Sequence, residues 1–390
     1  MIEENIENNK YEYVINTDRL KNICKEIKNN TEVIALDTEF IRKTTYFPIL
    51  CLVQISYFDK NGNIKNFVID ALQDNLDLTY FYKSILNNCK IKKIIHSFSQ
   101  DLEALNFRHD IKINNLEDTQ IMAEFCGFGS NLGYSKLVEK VLGINYKKNE
   151  NIQHSNWKKR PLTDSQKIYA ANDVIFLISI YNGLLKELKE IGNYEYYNNE
   201  IEHILKYKNK NFVINNSWRK MKFNLNNRSL NYSFLLKELC KWREEKAIAN
   251  NVIRNFIIED NVLEEIAKLR PKTQKSFNEI FTYSNYNVNI SKEYKQEIVN
   301  IVNEFNKNLD PQYDELLYYT NEKHFIHKNI LDKIYLKIKM IADSRKISIN
   351  TTINKTDIIA LIMKYENKKN ILYGWKNELF VNIFEENNIN

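Results

Sequence analysis

Asp37-Thr38-Glu39 stands at the end of the apolar run Val33-Ile34-Ala35-Leu36, and two later carboxylates, Asp101 and Asp173, occur where a fold could bring them beside it. The run is short, apolar and partly β-branched, so it predicts a buried strand whose period of two puts Asp37 and Glu39 on one face. Two carboxylates sharing a face repel. A divalent cation between them removes the conflict, so four acids gathered this way point to a site for two metal ions with hard oxygen ligands. Asp101 closes the stretch Ile94-Ile95-His96-Ser97-Phe98-Ser99-Gln100, which reads as a strand, a polar turn and a helix start, where the helix dipole favours an anion. Tyr169 and Asp173 are four apart in a helical pattern, a hydroxyl one turn from a carboxylate. Each feature also has an ordinary reading. Asp101 alone is a common helix-start acid, His96 alone is a hydrogen-bonded core or edge histidine, and Asp173 is compensated either by a metal or by an Arg or Lys elsewhere in the chain.

The elements that must position these groups follow from hydrophobic periodicity. Strands are expected at 33–36, 50–57, 66–69 and 93–96, interleaved with helical patterns at 20–28, 80–87 and 101–106. The second and third strands should pair across Asp59-Lys60-Asn61-Gly62-Asn63, whose Asn-Gly is a strong hairpin cue. From 165 to 188 the apolar positions recur every three or four residues, which predicts one long helix with Asp164 as its N-cap. Seven of the eight glycines precede residue 193, so the second half is short of turn residues. An α/β domain followed by all-helical domains is expected.

At 390 residues the chain exceeds one ordinary core, and 43% hydrophobic with 27% charged residues describes a globular protein. The sequence has no continuous apolar stretch of eighteen residues, and Met1-Ile2-Glu3-Glu4-Asn5 is acidic where a secretion signal is basic and then apolar. A cytoplasmic location without a membrane span is expected. Cys24, Cys51, Cys89, Cys126 and Cys240 are scattered and never form C-x-x-C, so neither a zinc site nor a disulfide framework is expected. The net charge of +6 is modest, but Lys206, Lys208, Lys210, Arg219, Lys220, Lys222 and Arg228 fall in a stretch, 203–228, without acids. That stretch is a domain boundary, either a solvated linker or a phosphate contact. Leu309-Asp310-Pro311 supplies a further break.

Four blocks now stand in order. They are Leu36-Asp37-Thr38-Glu39-Phe40 with Tyr46-Phe47-Pro48, then His96-Ser97-Phe98-Ser99-Gln100-Asp101-Leu102, then Asp118-Thr119-Gln120, then Trp157 with Arg160-Pro161-Leu162 leading to Tyr169-Ala170-Ala171-Asn172-Asp173. Together they resemble the DEDD superfamily of 3′–5′ exonucleases in its tyrosine-containing (DEDDy) branch, and within it the ribonuclease D family. Arg219-Lys220-Met221-Lys222 and Trp242-Arg243-Glu244-Glu245-Lys246-Ala247 resemble the start of a first HRDC domain, and Leu372-Tyr373-Gly374-Trp375-Lys376-Asn377-Glu378-Leu379 the tail of a second. The resemblance implies a ribonuclease H-like α/β exonuclease domain, a mixed sheet flanked by helices, over 1–202. It also implies a basic linker at 203–228 and two all-α HRDC-like domains at 229–308 and 309–390.

It further implies two divalent ions, Mg²⁺ or Mn²⁺. One, on Asp37, Glu39 and Asp173, would acidify the attacking water, and the other, on Asp37 and Asp101, would take up charge on the departing 3′ oxygen. Tyr169, a weak base at neutral pH, would orient that water. Phe40 is placed to stack on a terminal base and His96 to touch substrate. Tyr46 and Phe47 are either further stacking rings or core aromatics. Asp118 reads as a helix cap supporting the site, and Glu103 lies outside it. The implied activity is 3′–5′ exoribonuclease action by a monomer on RNA with a single-stranded 3′ end, precursor tRNA included, releasing nucleoside 5′-monophosphates. A DNA-directed exonuclease and a catalytically idle RNA- or helicase-binding module are the alternatives. The HRDC-like domains weigh against the first, and the full set of acids against the second.

Overall fold

In the computed structural model, which describes residues 10–106, 113–207, 210–221, 230–283, 290–309, 321–362, 367–387 and 389, the expected strands appear and lengthen. They are β2 (Val33–Ile41), β3 (Ile49–Phe58), β4 (Ile64–Asp70) and β5 (Lys92–Ile95). Two more, β1 (Glu12–Val14) and β6 (Leu116–Asp118), are three residues each, too short for an alternating pattern to register. Among the described residues the six form one mixed sheet in the order β1-β4-β3-β2-β5-β6. β2, β3 and β4 are antiparallel neighbours, whereas β1 pairs parallel with β4, and β5 parallel with β2 and β6. β3 is buried from Cys51 to Tyr57, which explains why it reads as a continuous apolar run. The β3–β4 turn forms as its sequence demands. The Asp59 carboxylate accepts the Asn61 and Asn63 amides, and Gly62 takes φ +79°.

Helices flank this sheet: α1 (Thr17–Asn30), α2 (Ser99–Asn106), α3 (Thr119–Phe125), α4 (Tyr134–Leu142), α5 (Asp164–Asn172) and α6 (Leu177–Glu190). The long helix expected over 165–188 is thus two helices broken at Asp173. Its N-cap is Thr163, not Asp164, in a reciprocal capping box with Gln166. By length and composition Asp164–Glu190 is apolar enough to cross a membrane, but 72% of its apolar 18-residue window is buried inside the fold.

Contacts divide the chain into two units. The first is Met1–Arg42, Phe47–Ile201 and Ile338–Ile353, and the second is Lys43–Tyr46, Glu202–Lys337 and Asn354–Asn390. The second is helical. In it α7 (Leu230–Asn250) packs against α8 (Asp260–Leu269) and α10 (Lys292–Lys307), with α9 (Gln274–Tyr283) on α10. α11 (Asn321–Ser344), which belongs to this unit as far as Lys337, and α12 (Gly374–Glu385) follow. Arg219 spends its charge in this unit on Asp357, 2.5 Å away, which argues against a phosphate role for it. Lys208, Lys222, Arg228, Asp310 and Pro311 lie outside the described residues.

One buried charge in the first unit is held by backbone alone. Lys93 on β5 is fully buried, and its ammonium donates to the carbonyls of Asn88 (2.6 Å), Ile91 (2.7 Å) and Asn114 (2.7 Å). Burial pushes its pKa down to about 8, while the three acceptors favour the charged form. Lys93→Met would leave these carbonyls without a donor and should cost about 2–3 kcal/mol, read as a lower urea midpoint. An unchanged midpoint would show that the loops re-pair without it.

Candidate active site

β2 pairs with β5 only from Val33 to Ala35, whereas its pairing with β3 continues to Ile41. Asp37 and Glu39 therefore lie just past the carboxyl end of the parallel pair, where open α/β sheets leave a crevice. The β2–β3 register shifts between Glu39 and Phe40, a bulge that re-aims Phe40 relative to the acid pair. Phe40 is half-buried there.

β5 delivers the next acid. After Ile95 the chain turns through Ser97, whose φ of +63° is left-handed and unfavourable for a residue with a side chain. Asp118 holds that turn in place. Its buried carboxylate accepts the amides of Ser97 (3.1 Å) and Phe98 (2.8 Å) and also caps α3 by accepting those of Gln120 (2.7 Å) and Ile121 (3.2 Å). Its supporting role at the helix cap is as expected. Asp101 then falls in the first turn of α2, buried, and accepts the Thr38 hydroxyl at 2.5 Å. Thr38, the residue between the two β2 acids, thus ties the third acid to them. Glu103 pairs outward with Arg42 at 2.7 Å.

His96 is half-buried, with Nδ1 3.0 Å from the Thr119 hydroxyl, which itself donates to the Ile95 carbonyl. Burial, and then the charge of Lys148, hold the ring's pKa down to about 4, so it is neutral at physiological pH.

The fourth acid sits at a helix break with an identifiable cause. The Tyr134 hydroxyl donates to Asn172 O and accepts from Phe176 N, both at 3.2 Å. These are the two groups that would otherwise close one rung of a continuous helix, so the hydroxyl is inserted in the ladder. Asp173 is left at the C-terminal end of α5 with Tyr169 one turn before it. The Tyr169 ring packs 5.9 Å from that of Trp157. Arg160 fixes the loop carrying Trp157 to the sheet by a two-pronged pair to the buried Asp70 of β4, 2.6 and 2.5 Å.

Tyr46 goes elsewhere. It is buried in the helical unit with its hydroxyl on Glu244, which Arg254 also engages. This is the core reading of that ring, and it removes Tyr46 from the stacking candidates. Phe47 is half-buried.

The electrostatics of the cluster are those of crowded acids. Burial first, then mutual repulsion, holds Asp37, Glu39 and Asp101 well above the usual carboxylate range. Burial also raises Asp173, opposed by Lys148. The sequence left open whether a metal or a basic side chain compensates Asp173, and here a basic side chain does so: the Lys148 ammonium is 2.8 Å from Asp173 Oδ2. It also lies 4.6 Å from the centre of the Tyr169 ring. Sequence reasoning missed this residue, although a signal was present. Ile144 and Tyr146 are buried and Asn145 and Lys147 exposed, so Lys148 falls at the next inward position of an extended segment.

The donor set suits hard divalent cations: carboxylate oxygens only, raised proton affinities that a cation would relieve, and buried oxygens with unused capacity. The Asp173 oxygens and the Tyr169 hydroxyl have Lys148 alone beside them, and Asp173 Oδ1 has no hydrogen-bond partner. Among the described residues no three such acids already stand at chelating distance, because Asp101 leans to Thr38 and Asp173 to Lys148. Side-chain rotation toward a bound ion is required.

Comparisons with known proteins give the family. Residues 11–189 match a family model described as 3′-5′ exonuclease, and residues 234–301 match that of the HRDC domain. A ribonuclease D of Zymomonas mobilis is 31% identical over 92% of this chain and 89% of its own length. One from Bartonella henselae is 33% identical over 63% of this chain, and the match spans less than two thirds of that relative, 58%. The crystal structure of Escherichia coli RNase D, an exoribonuclease involved in structured RNA processing, matches with a TM-score of 0.72 at 25% identity, over 97% of this chain and 99% of that one. With such a relative matched over nearly its whole length, the chain belongs to the ribonuclease D family.

Proposed function

We propose that this chain is a divalent-metal-dependent 3′–5′ exoribonuclease that removes nucleoside 5′-monophosphates from single-stranded 3′ ends of structured RNAs, precursor tRNA among them. The observation that carries the reading is the gathering of Asp37, Glu39, Asp101 and Asp173, from β2, α2 and the α5–α6 break, into one mutually repelling group with Tyr169 beside it. Kinship with ribonucleases D supports it. When bound, two ions, Mg²⁺ or Mn²⁺, would supply the acidity for the attacking water and offset charge on the departing 3′ oxygen. Asp37, Glu39 and Asp173 would hold the first ion, and Asp37 with Asp101 the second.

The remaining roles belong to the chain's own groups. Burial raises the Tyr169 hydroxyl pKa, so that group keeps its proton and orients the water instead of deprotonating it. Neutral, half-buried His96 touches the terminal nucleotide, and Phe40 offers a ring on which a base of any identity can stack. We read 1–202 as the exonuclease domain, 203–228 as the linker, and 229–308 and 309–390 as HRDC-like RNA-handling domains of a monomeric, cytoplasmic enzyme.

The test is a time course with 5′-labelled RNA bearing a stem and a 3′ tail, beside its DNA counterpart, in Mg²⁺, Mn²⁺ or EDTA. A metal-dependent ladder that shortens from the 3′ end of the RNA is expected. Preference for the DNA would move the assignment to a DNA exonuclease, and binding without shortening to a non-catalytic module.

The helix break adds a prediction. Tyr134→Phe removes the inserted hydroxyl, lets Phe176 N rejoin Asn172 O, and rotates Asp173 out of register. A displacement of this kind should lower kcat by about tenfold or more while the protein remains folded. Wild-type rates in this variant would show that the break does not depend on the hydroxyl.

A further inference from the structure

Lys148 works against the metal-binding capacity of the acids it touches. Only 22% of its side chain is exposed, and its charge acts on Asp37, Glu39 and Asp173 alike. A fixed cation beside a cation site weakens that site, so its position calls for a compensating use.

The surrounding chain holds it there firmly. Gly143, at φ +71°, ends α4, and Asn149 caps the short helix Glu150–Gln153 that follows. Between them the Tyr146 ring packs edge-on against Tyr134 (5.8 Å) and Phe176 (5.6 Å), on either side of the break that presents Asp173. The segment bearing Lys148 and the break bearing Asp173 are thus anchored to the same aromatic cluster. The backbone that carries Lys148 is thereby held beside the acids.

Charge balance indicates the use. Four carboxylates and two divalent cations neutralise one another, and a phosphodiester then brings a further negative charge that grows as its bond to the leaving oxygen breaks. An added positive charge is needed beside Asp173 and Tyr169, where the water must meet the phosphorus. We propose that Lys148 is the phosphate-binding cation of this site, resting on Asp173 and turning to a non-bridging oxygen of the terminal phosphodiester when RNA and metal are bound. The proposal rests on the exonuclease reading and deepens it.

It makes a signature of opposite signs. In the full-length protein Lys148→Met keeps the apolar stem and removes the charge. Mn²⁺ binding without RNA, followed by electron paramagnetic resonance, should tighten by about three- to tenfold. Affinity for a 3′-tailed RNA in Ca²⁺, under conditions where the tail stays intact, should fall by about tenfold, the size expected for one partly screened charge. Lys148→Arg should retain most of the RNA affinity. A thermal melt shows that each variant is folded. Weakening of both metal and RNA binding would make Lys148 a structural residue and overturn the proposal, as would no change in either or an Arg variant as defective as Met. Failure of the wild-type protein to bind Mn²⁺ would instead overturn the metal-dependent reading, and the proposal with it.

Discussion

Asp37→Asn should nearly abolish mononucleotide release and at the same time make the protein harder to unfold. Asp37 is the one acid assigned to both metal ions, so its loss removes charge stabilisation on the attacking and the leaving side together. That stabilisation is worth several kcal/mol, a fall of about a thousandfold or more in kcat. RNA binding should survive, because Lys148, Phe40 and the helical unit are untouched. Stability moves the other way. Burial and the neighbouring Asp173 charge hold the Asp37 carboxyl well above its ordinary range, which means the folded state disfavours the ionised form. Asn keeps the shape and deletes the repulsion. In EDTA at pH 8 the variant should gain on the order of 1 kcal/mol, a rise in Tm of about 2–4 °C. Turnover near wild type would sink the two-metal assignment. A lower Tm in EDTA would show instead that Asp37 is a structural carboxylate held by partners.

Much of the candidate site's placement was legible in sequence because its parts are local. The alternation of β2 put Asp37 and Glu39 on one face, the four-residue spacing put Tyr169 by Asp173, and Asp118 read as a cap from its place before Thr119-Gln120. What escaped depends on contacts distant in sequence. The break at Asp173 is imposed by the hydroxyl of Tyr134, and nothing in the periodicity of 165–188 announces it. Lys148 was hidden by an adjacent lysine that faces solvent. Segment Lys43–Tyr46 joins the helical unit through Tyr46 and Glu244, residues of two different predicted domains, so a boundary drawn along the chain could not follow it. The fold class survives these misses, since it rests on the strands and their hydrophobic runs. The positions of catalytic groups are more exposed to them, because a single side chain can move an acid from mid-helix to helix end.

The largest effect on stability should come from a residue outside the acid cluster. Asp70 is fully buried at the end of β4, where its carboxylate receives Arg160 twice, the Tyr13 hydroxyl (2.5 Å), Gln73 Nε2 (2.7 Å) and Leu72 N (3.2 Å). Burial pushes this carboxyl up, but Arg160, Tyr13 and Gln73 outweigh it and hold it below the ordinary value of 3.8. Asp70→Ala strands a half-buried guanidinium and should cost about 3–5 kcal/mol in a urea melt. Asp70→Ala with Arg160→Met should recover part of that loss, since no unpaired charge remains. The pH dependence has a fixed sign. The carboxyl is lowered by folding, so its contribution is complete above pH 3.8 and is lost as the pH falls through the folded value, and the gap between wild type and Asp70→Ala should narrow only below pH 3.8. Activity should decline too, because Arg160 fixes the loop whose Trp157 packs on Tyr169. The decline should appear in kcat more than in RNA affinity, since the ring proposed to orient the water moves while the proposed substrate contacts stay. An equal urea midpoint for wild type and Asp70→Ala would refute this account of the Arg160-Pro161-Leu162 segment and leave its place beside Tyr169 to be explained by apolar packing alone.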